Sequence, residues 1–82
     1  MPYIKKEQRP SKDKVVEVMV KENIVANGDL NYILFKYCKY HIPKSYNNIK
    51  NYCGELNECV AEIRRKFLAP YEDAKEKENG EV

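Results

Sequence analysis

The 82-residue sequence predicts a small all-α domain, and three observations support this class. Only three glycines occur while 34% of the residues are charged, a composition typical of a charged helical protein. Four prolines divide the chain into segments, as helix breakers do: Pro2, Pro10, Pro43 and Pro70. Within these segments apolar residues recur at helical spacing. We therefore predict three principal helices, with a long third helix and a short C-terminal helix or ordered tail.

Residues 1–10 are predicted to form an extended N-terminal arm, because Pro2 and Pro10 are poor members of a helix interior. The first helix is expected to begin near Ser11, a residue type that caps helix N-termini well, and to run to about Asn23. The segment ANGD then ends it. Its apolar residues at helical spacing are Val15, Val16, Met19, Val20 and Ile24.

The second helix is expected to begin with Asp29 as its N-cap and to end before Pro43, because a proline disfavours helical geometry in the residue that precedes it. Six side chains between these limits fall on one continuous face. They are Leu30, Ile33, Leu34, Tyr37, Cys38 and His41.

The third helix is the strongest prediction, with Ser45 as its cap and Pro70 as its end. Its apolar residues are spaced alternately by four and three positions, which is the pattern of a coiled-coil seam. From Tyr46 to Leu68 this helix would be about 35 Å long. Gly54 inside it would permit a close helix crossing, within the chain or between two chains. The seam consists of Ile49, Cys53, Leu56, Val60, Ile63 and Phe67.

Residues 70–82 lack apolar periodicity but carry helix signals. Pro70 suits a first helical position, acidic residues follow it, and Gly80 suits the stop. The predicted organisation is therefore an arm over residues 1–10, a helical core over 11–69 and a short helix or tail over 70–82. Because so short a chain buries only about 60% of its unfolded surface, we expect a homo-oligomer, a dimer or larger.

The net charge of +2 hides an uneven distribution. The acid-free stretch 30–54 carries four lysines, whereas residues 55–82 carry five basic against eight acidic residues. This favours an anionic partner, or one protomer meeting another, over general nucleic-acid binding. Three cysteines without C-x-x-C spacing, no apolar leader and no run of about 20 apolar residues predict a cytoplasmic protein without a membrane span.

Several motifs together resemble a family of small uncharacterised proteins found in tailed phages, prophages and their bacterial hosts. They are MPYI at the start, GDLNY at 28–32, SY at 45–46, GELNEC at 54–59, RRKFLAPYEDAK at 64–75 and ENGEV at the end. No activity comes with this resemblance. It implies that the PYED and ENG segments belong to the domain, and that the cytoplasm of a host cell is where a phage-encoded member would act.

Two groups of residues are candidates for ligand binding. Aromatic and basic side chains alternate on the second helix and after it, and such a surface can stack on bases and pair with phosphates. Packing of the aromatic rings against another helix or protomer is the alternative. The arginines of the segment EIRRKF can bind an anion through their planar guanidinium groups. The alternative is that they pair with Glu62 and offset the helix dipole. The candidate ligand-binding residues are Tyr32, Lys36, Tyr46, Arg64, Arg65 and Tyr71.

No catalytic residue, metal ligand or cofactor is predicted. His41 stands alone near a helix end, no nucleophile and base share a readable spacing, and no glycine-rich phosphate loop occurs. We therefore expect a non-enzymatic binding protein that sequesters a small anionic nucleotide-type signal of host defence. A protein–protein adaptor or inhibitor of a host protein is one alternative, and a weak nucleic-acid binder is another.

Overall fold

The computed structural model describes residues 3–82 and confirms the all-α class, since no β-strand occurs in that range. After a 3-10 turn at Lys6–Gln8 come α1 (Arg9–Lys21), α2 (Asp29–His41), α3 (Tyr46–Ile63), a π-helical segment (Arg64–Leu68) and α4 (Ala69–Asn79). The described chain divides into two compact units, Tyr3–Ile49 and Lys50–Val82. Met1 and Pro2 of the predicted arm lie outside the described residues.

The helix α1 begins at Arg9, two residues before the predicted start. Ser11 is not its cap, because the Ser11 hydroxyl donates to the carbonyl of Gln8, 3.4 Å away, from inside the first turn. The 3-10 turn leads directly into the helix, and the Lys5 N–H donates to Gln8 Oε1 at 3.1 Å. Pro10 fits the first turn because its missing N–H has no intrahelical partner to lose there.

A Schellman motif ends α1. Asn23 adopts the left-handed conformation, with φ of 52°. Its N–H donates to the Val20 carbonyl, and the Ile24 N–H donates to the Met19 carbonyl, both at 3.0 Å. Met19 and Ile24 are the half-buried side chains of this region, as expected for the apolar contact that accompanies the motif.

The helix α2 ends as predicted but is capped differently at its start. Gly28, with φ of 112°, is the N-cap, and Asp29 is the first helical residue rather than the cap. The Asn27 side chain accepts the Asp29 N–H at 3.2 Å, forming an Asx turn that leads into the helix. At the other end Ile42 is extended, with ψ of 125°, as the following Pro43 requires.

The helix α3 begins as predicted, because Ser45 Oγ accepts the Asn48 N–H at 3.2 Å. The prediction that Pro70 ends this helix is wrong. Helix continues for 34 residues from Tyr46 to Asn79. The π-helical segment makes this continuation possible, since the Ala69 N–H bonds to the Arg64 carbonyl five residues back. The widened turn precedes the proline, which has no N–H to give and whose ring would crowd a regular α-turn.

The π-helical segment also changes the predicted seam. A π turn uses five residues where an α turn uses four, so Leu68 rather than Phe67 follows Ile63 on the same face. Leu68 is 39% exposed and Phe67 is 70% exposed, in agreement with this shift. The residues of Lys50–Val82 that we call the seam are therefore Cys53, Leu56, Val60, Ile63 and Leu68.

No described residue is fully buried, and large apolar side chains of each unit are exposed. Within the first unit α1 and α2 form no extended interface with each other. Of the apolar faces predicted for the second and third helices, Ile33, Leu34 and Leu56 are half-buried, whereas Val60 and Ile63 are each 49% exposed. A Cβ atom added at Gly54 would meet nothing within 4 Å.

The C-terminal segment forms the predicted fourth helix, and Gly80 ends it with φ of 89°. All its residues are exposed. Lys75 Nζ lies 3.3 Å from Glu78 Oε2 and 5.9 Å from the centre of the Tyr71 ring. Because α4 prolongs the long helix, Glu72 and Asp73 continue away from the two arginines instead of folding back onto them.

Candidate functional site

The face of α2 opposite its half-buried side carries a basic–aromatic surface. Lys36 Nζ lies 3.2 Å from the Tyr32 hydroxyl and 5.4 Å from the centre of the Tyr32 ring. One turn further on, Lys39 Nζ lies 5.4 Å from the centre of the Tyr40 ring. Each ammonium group is thus held beside a ring by a cation–π contact. We call the following residues the basic–aromatic face: Tyr32, Phe35, Lys36, Lys39 and Tyr40.

This surface is open and shaped by shallow grooves. One groove of about 180 Å³ is lined by all five residues of the basic–aromatic face. A larger neighbouring groove of about 390 Å³ has aromatic and apolar walls, and its lining includes Tyr37 and His41, whose ring centres lie 5.0 Å apart. Aromatic walls with nearby ammonium groups can hold a flat ring and a negative charge together.

The segment after α2 contributes less cationic surface than its sequence indicates. Lys44 Nζ donates to the carbonyls of Cys38 and Ile42, at 2.5 and 2.7 Å. The Cys38 carbonyl also accepts the Ile42 N–H, so Lys44 is its second donor. Lys44 thus caps the C-terminal end of α2 and offsets the negative end of its dipole. Tyr46, at the start of α3, is 80% exposed and remains accessible to a ligand.

The second unit holds the remaining predicted residues, which lie on and just after the π-helical segment. Arg65 pairs with Glu62, three residues before it, which confirms the predicted ion pair. Arg64 is exposed, and its guanidinium presents a planar fork of donors of the kind that binds an anion. Tyr71 is exposed in the first turn of α4.

The predicted set is divided between the two units. Tyr32 and Lys36 contact each other directly, and Tyr46 lies in the same unit. Arg64, Arg65 and Tyr71 belong to the other unit. Two features escaped the sequence reasoning: the capping role of Lys44 and the Tyr37–His41 ring contact. The four-residue spacing of Tyr37 and His41 is a signal that could have revealed the second.

Two further observations concern the described residues as a whole. Residues 3–82 contain no group of three or more His, Cys, Asp or Glu side chains arranged to hold a metal ion. Within the same range, no helix combines the length and the hydrophobicity that crossing a bilayer requires.

The fold and the exposed faces define a small charged all-α protein, and no residue in the range 3–82 is fully buried. The chain belongs to the family described as a domain of unknown function (DUF6899), whose model matches residues 1–82. No curated protein and no solved structure is significantly similar to it. The family match agrees with the resemblance to a family of uncharacterised proteins and covers the C-terminal segment, which therefore belongs to the domain.

Proposed function

We propose that this protein is a small, oligomeric, non-enzymatic binding protein that sequesters an anionic nucleotide-type molecule. The observation that carries the proposal is the Tyr32–Lys36 pair, in which an ammonium group is positioned beside an exposed aromatic ring. A base or other flat ring stacks on the aromatic surface while the ammonium group pairs with a phosphate. Stacking on an aromatic side chain contributes about 1–3 kcal/mol per base.

The distribution of charge supports an anionic ligand over a cationic one. The basic–aromatic face lies within the stretch 30–54, which has four lysines and no acidic residue. No carboxylate of this stretch therefore competes for the ammonium groups or repels a phosphate. Lys44 is used in capping α2, so Lys36 and Lys39 are the cations of α2 that we assign to the ligand.

The resemblance to phage and prophage proteins suggests the biological setting. A small protein made in an infected cell can weaken host defence by binding a nucleotide signal without degrading it.

The exposed apolar side chains of the second unit favour a second candidate function, an adaptor or inhibitor that binds a host protein. Weak nucleic-acid binding is the third candidate, and a steep loss of affinity with added salt would identify it.

Titration calorimetry with a panel of cyclic and linear signalling nucleotides tests the proposal. At least one nucleotide is expected to bind the folded protein with saturation. Lys36→Gln is expected to weaken this binding about tenfold or more, because a charge-assisted contact contributes about 1.5–3 kcal/mol. Lys14→Gln on α1 makes the same change of net charge away from the face and is expected to leave affinity unaltered.

Two results would contradict the proposal. One is a folded protein that binds no member of the panel. The other is equal weakening by Lys36→Gln and Lys14→Gln, which would show a response to net charge rather than to the basic–aromatic face.

A further inference from the structure

The seam of the second unit is an apolar stripe with exposed members. Val60 and Ile63 each leave about half of their surface exposed, with 49% accessible. Arginine and lysine flank the stripe at Arg64 and Lys66, and Lys50 precedes it. Burying such side chains stabilises a protein by about 25 cal/mol per Å² of apolar area, so a helix with a matching stripe would bind here.

From Cys53 to Ile63, the spacing of the seam matches a second copy of itself in the reverse direction, and Leu68 lies beyond this matched stretch. The steps from Cys53 to Leu56, Val60 and Ile63 are three, four and three residues, and they read the same from either end. In an antiparallel pair, Cys53 faces the partner's Ile63 and Leu56 faces the partner's Val60. Alternating steps of this kind keep facing side chains in contact along two crossing helices.

Charge decides between the antiparallel and the parallel orientation. From Ala69 to Val82 the chain has five acidic residues and two lysines. A parallel pair would place these two acidic segments side by side, where they repel each other. An antiparallel pair places them at opposite ends of the paired helices, which removes this repulsion.

We propose that two copies of this chain pair in antiparallel orientation through the seams of α3. The same register sets Arg64 of one copy within about one helical turn, 5.4 Å along the axis, of the partner's Lys50. Both lie on the same flank of the seam, so each dimer has two clusters of cations drawn from both chains. This inference rests on the proposed function in taking the bound groups to be phosphates: each cluster is a phosphate-binding position of Lys50–Val82 that is incomplete in one chain.

Disulfide trapping in the absence of ligand tests the orientation. The background is Cys38→Ser with Cys59→Ser, which leaves Cys53 as the single thiol. Three proteins are oxidised: this background, the background with Ile63→Cys, and the background with both Ile63→Cys and Cys53→Ser. In the antiparallel pair, two Cys53 residues lie about 15 Å apart along the axis, beyond the reach of a disulfide, whereas Cys53 and the partner's residue 63 are adjacent.

The expected result is a band of twice the chain mass only when both thiols are present. A covalent dimer from Cys53 alone would overturn the antiparallel orientation in favour of the parallel one. Sedimentation equilibrium of the unmodified protein is the second measurement, and a monomer at all concentrations would overturn the pairing itself. Trapping without ligand keeps the two proposals separate: a trapped dimer that binds no nucleotide refutes the function alone, and a monomer that binds one refutes the pairing alone.

Discussion

The two units of this chain are stabilised in different ways. In Tyr3–Ile49, helix ends are defined by local hydrogen bonds: the Schellman motif at Asn23, the Asx turn at Asn27 and the ammonium cap of Lys44. In Lys50–Val82, almost everything is one helix whose apolar stripe is left exposed. The first unit therefore has helix ends that are specified residue by residue, whereas the second has an exposed apolar surface, which we propose that a partner covers.

This difference has a thermodynamic consequence. Caps and turns act within one chain, so their contribution to stability does not depend on protein concentration. Burial of a seam between two chains follows mass action and grows with concentration. The effect of a substitution on stability should therefore be independent of protein concentration in the first unit and dependent on it in the seam of the second unit.

The largest expected effect is that of a charge on the seam. Ile63→Asp should raise the dissociation constant of the dimer at least about 100-fold, because an unpaired carboxylate buried between two chains costs about 3 kcal/mol or more. Ala61→Asp adds the same charge on the opposite side of the helix and should leave association nearly unchanged. Sedimentation equilibrium measures both, and equal effects would exclude the seam as the interface.

The second-largest effect is expected for Pro70→Ala. Alanine supplies the missing N–H, so the π-helical segment should relax to a regular α-helix and the long helix should gain up to about 3 kcal/mol. Thermal unfolding followed by circular dichroism measures the gain. Pro10→Ala, in the first turn of α1, should change stability little, because proline is tolerated there. A loss of stability in Pro70→Ala would show that the π-helical segment serves contacts which the regular helix cannot make.

Asn23→Val tests the local character of the first unit. A β-branched residue is poorly suited to the left-handed conformation, and the substitution should cost about 1–2 kcal/mol. Asn23→Gly should be tolerated, since glycine adopts this geometry freely. Urea unfolding at two protein concentrations checks whether the loss is independent of concentration. If the valine variant is as stable as the native protein, Asn23 does not control the end of α1.

The smallest expected changes in stability are those of two glycine substitutions, which should have opposite signs. Gly54→Ala should stabilise α3 by about 1 kcal/mol, because its Cβ would meet nothing and alanine favours helix. Gly28→Ala should do the opposite, since φ there is 112°. The same thermal scans measure both variants. Destabilisation by Gly54→Ala would reveal a neighbour at that position in the assembled protein.

Much of the helix pattern was predictable because its signals are local. Ser45 and Pro43 bound their helices as expected, since a cap and a proline act on the nearest turn. The prediction for Ser11 was wrong because its hydroxyl donates to the Gln8 carbonyl from inside the first turn. The prediction for Asp29 was wrong because Gly28 is the N-cap and Asn27 accepts the Asp29 N–H. For the candidate site, the Tyr32–Lys36 pair follows from four-residue spacing, whereas the use of Lys44 as a cap depends on the path of the loop.

The sequence by itself determined the all-α class, the approximate helices and the basic–aromatic face, because each depends on residues within one or two turns of each other. Only the tertiary structure decided that Pro70 lies inside a continuous helix, that Leu68 replaces Phe67 on the seam, and that none of the described side chains is fully buried. Those outcomes depend on how backbone hydrogen bonds are redistributed around a proline and on which surfaces meet. Neither can be deduced from the order of residues alone.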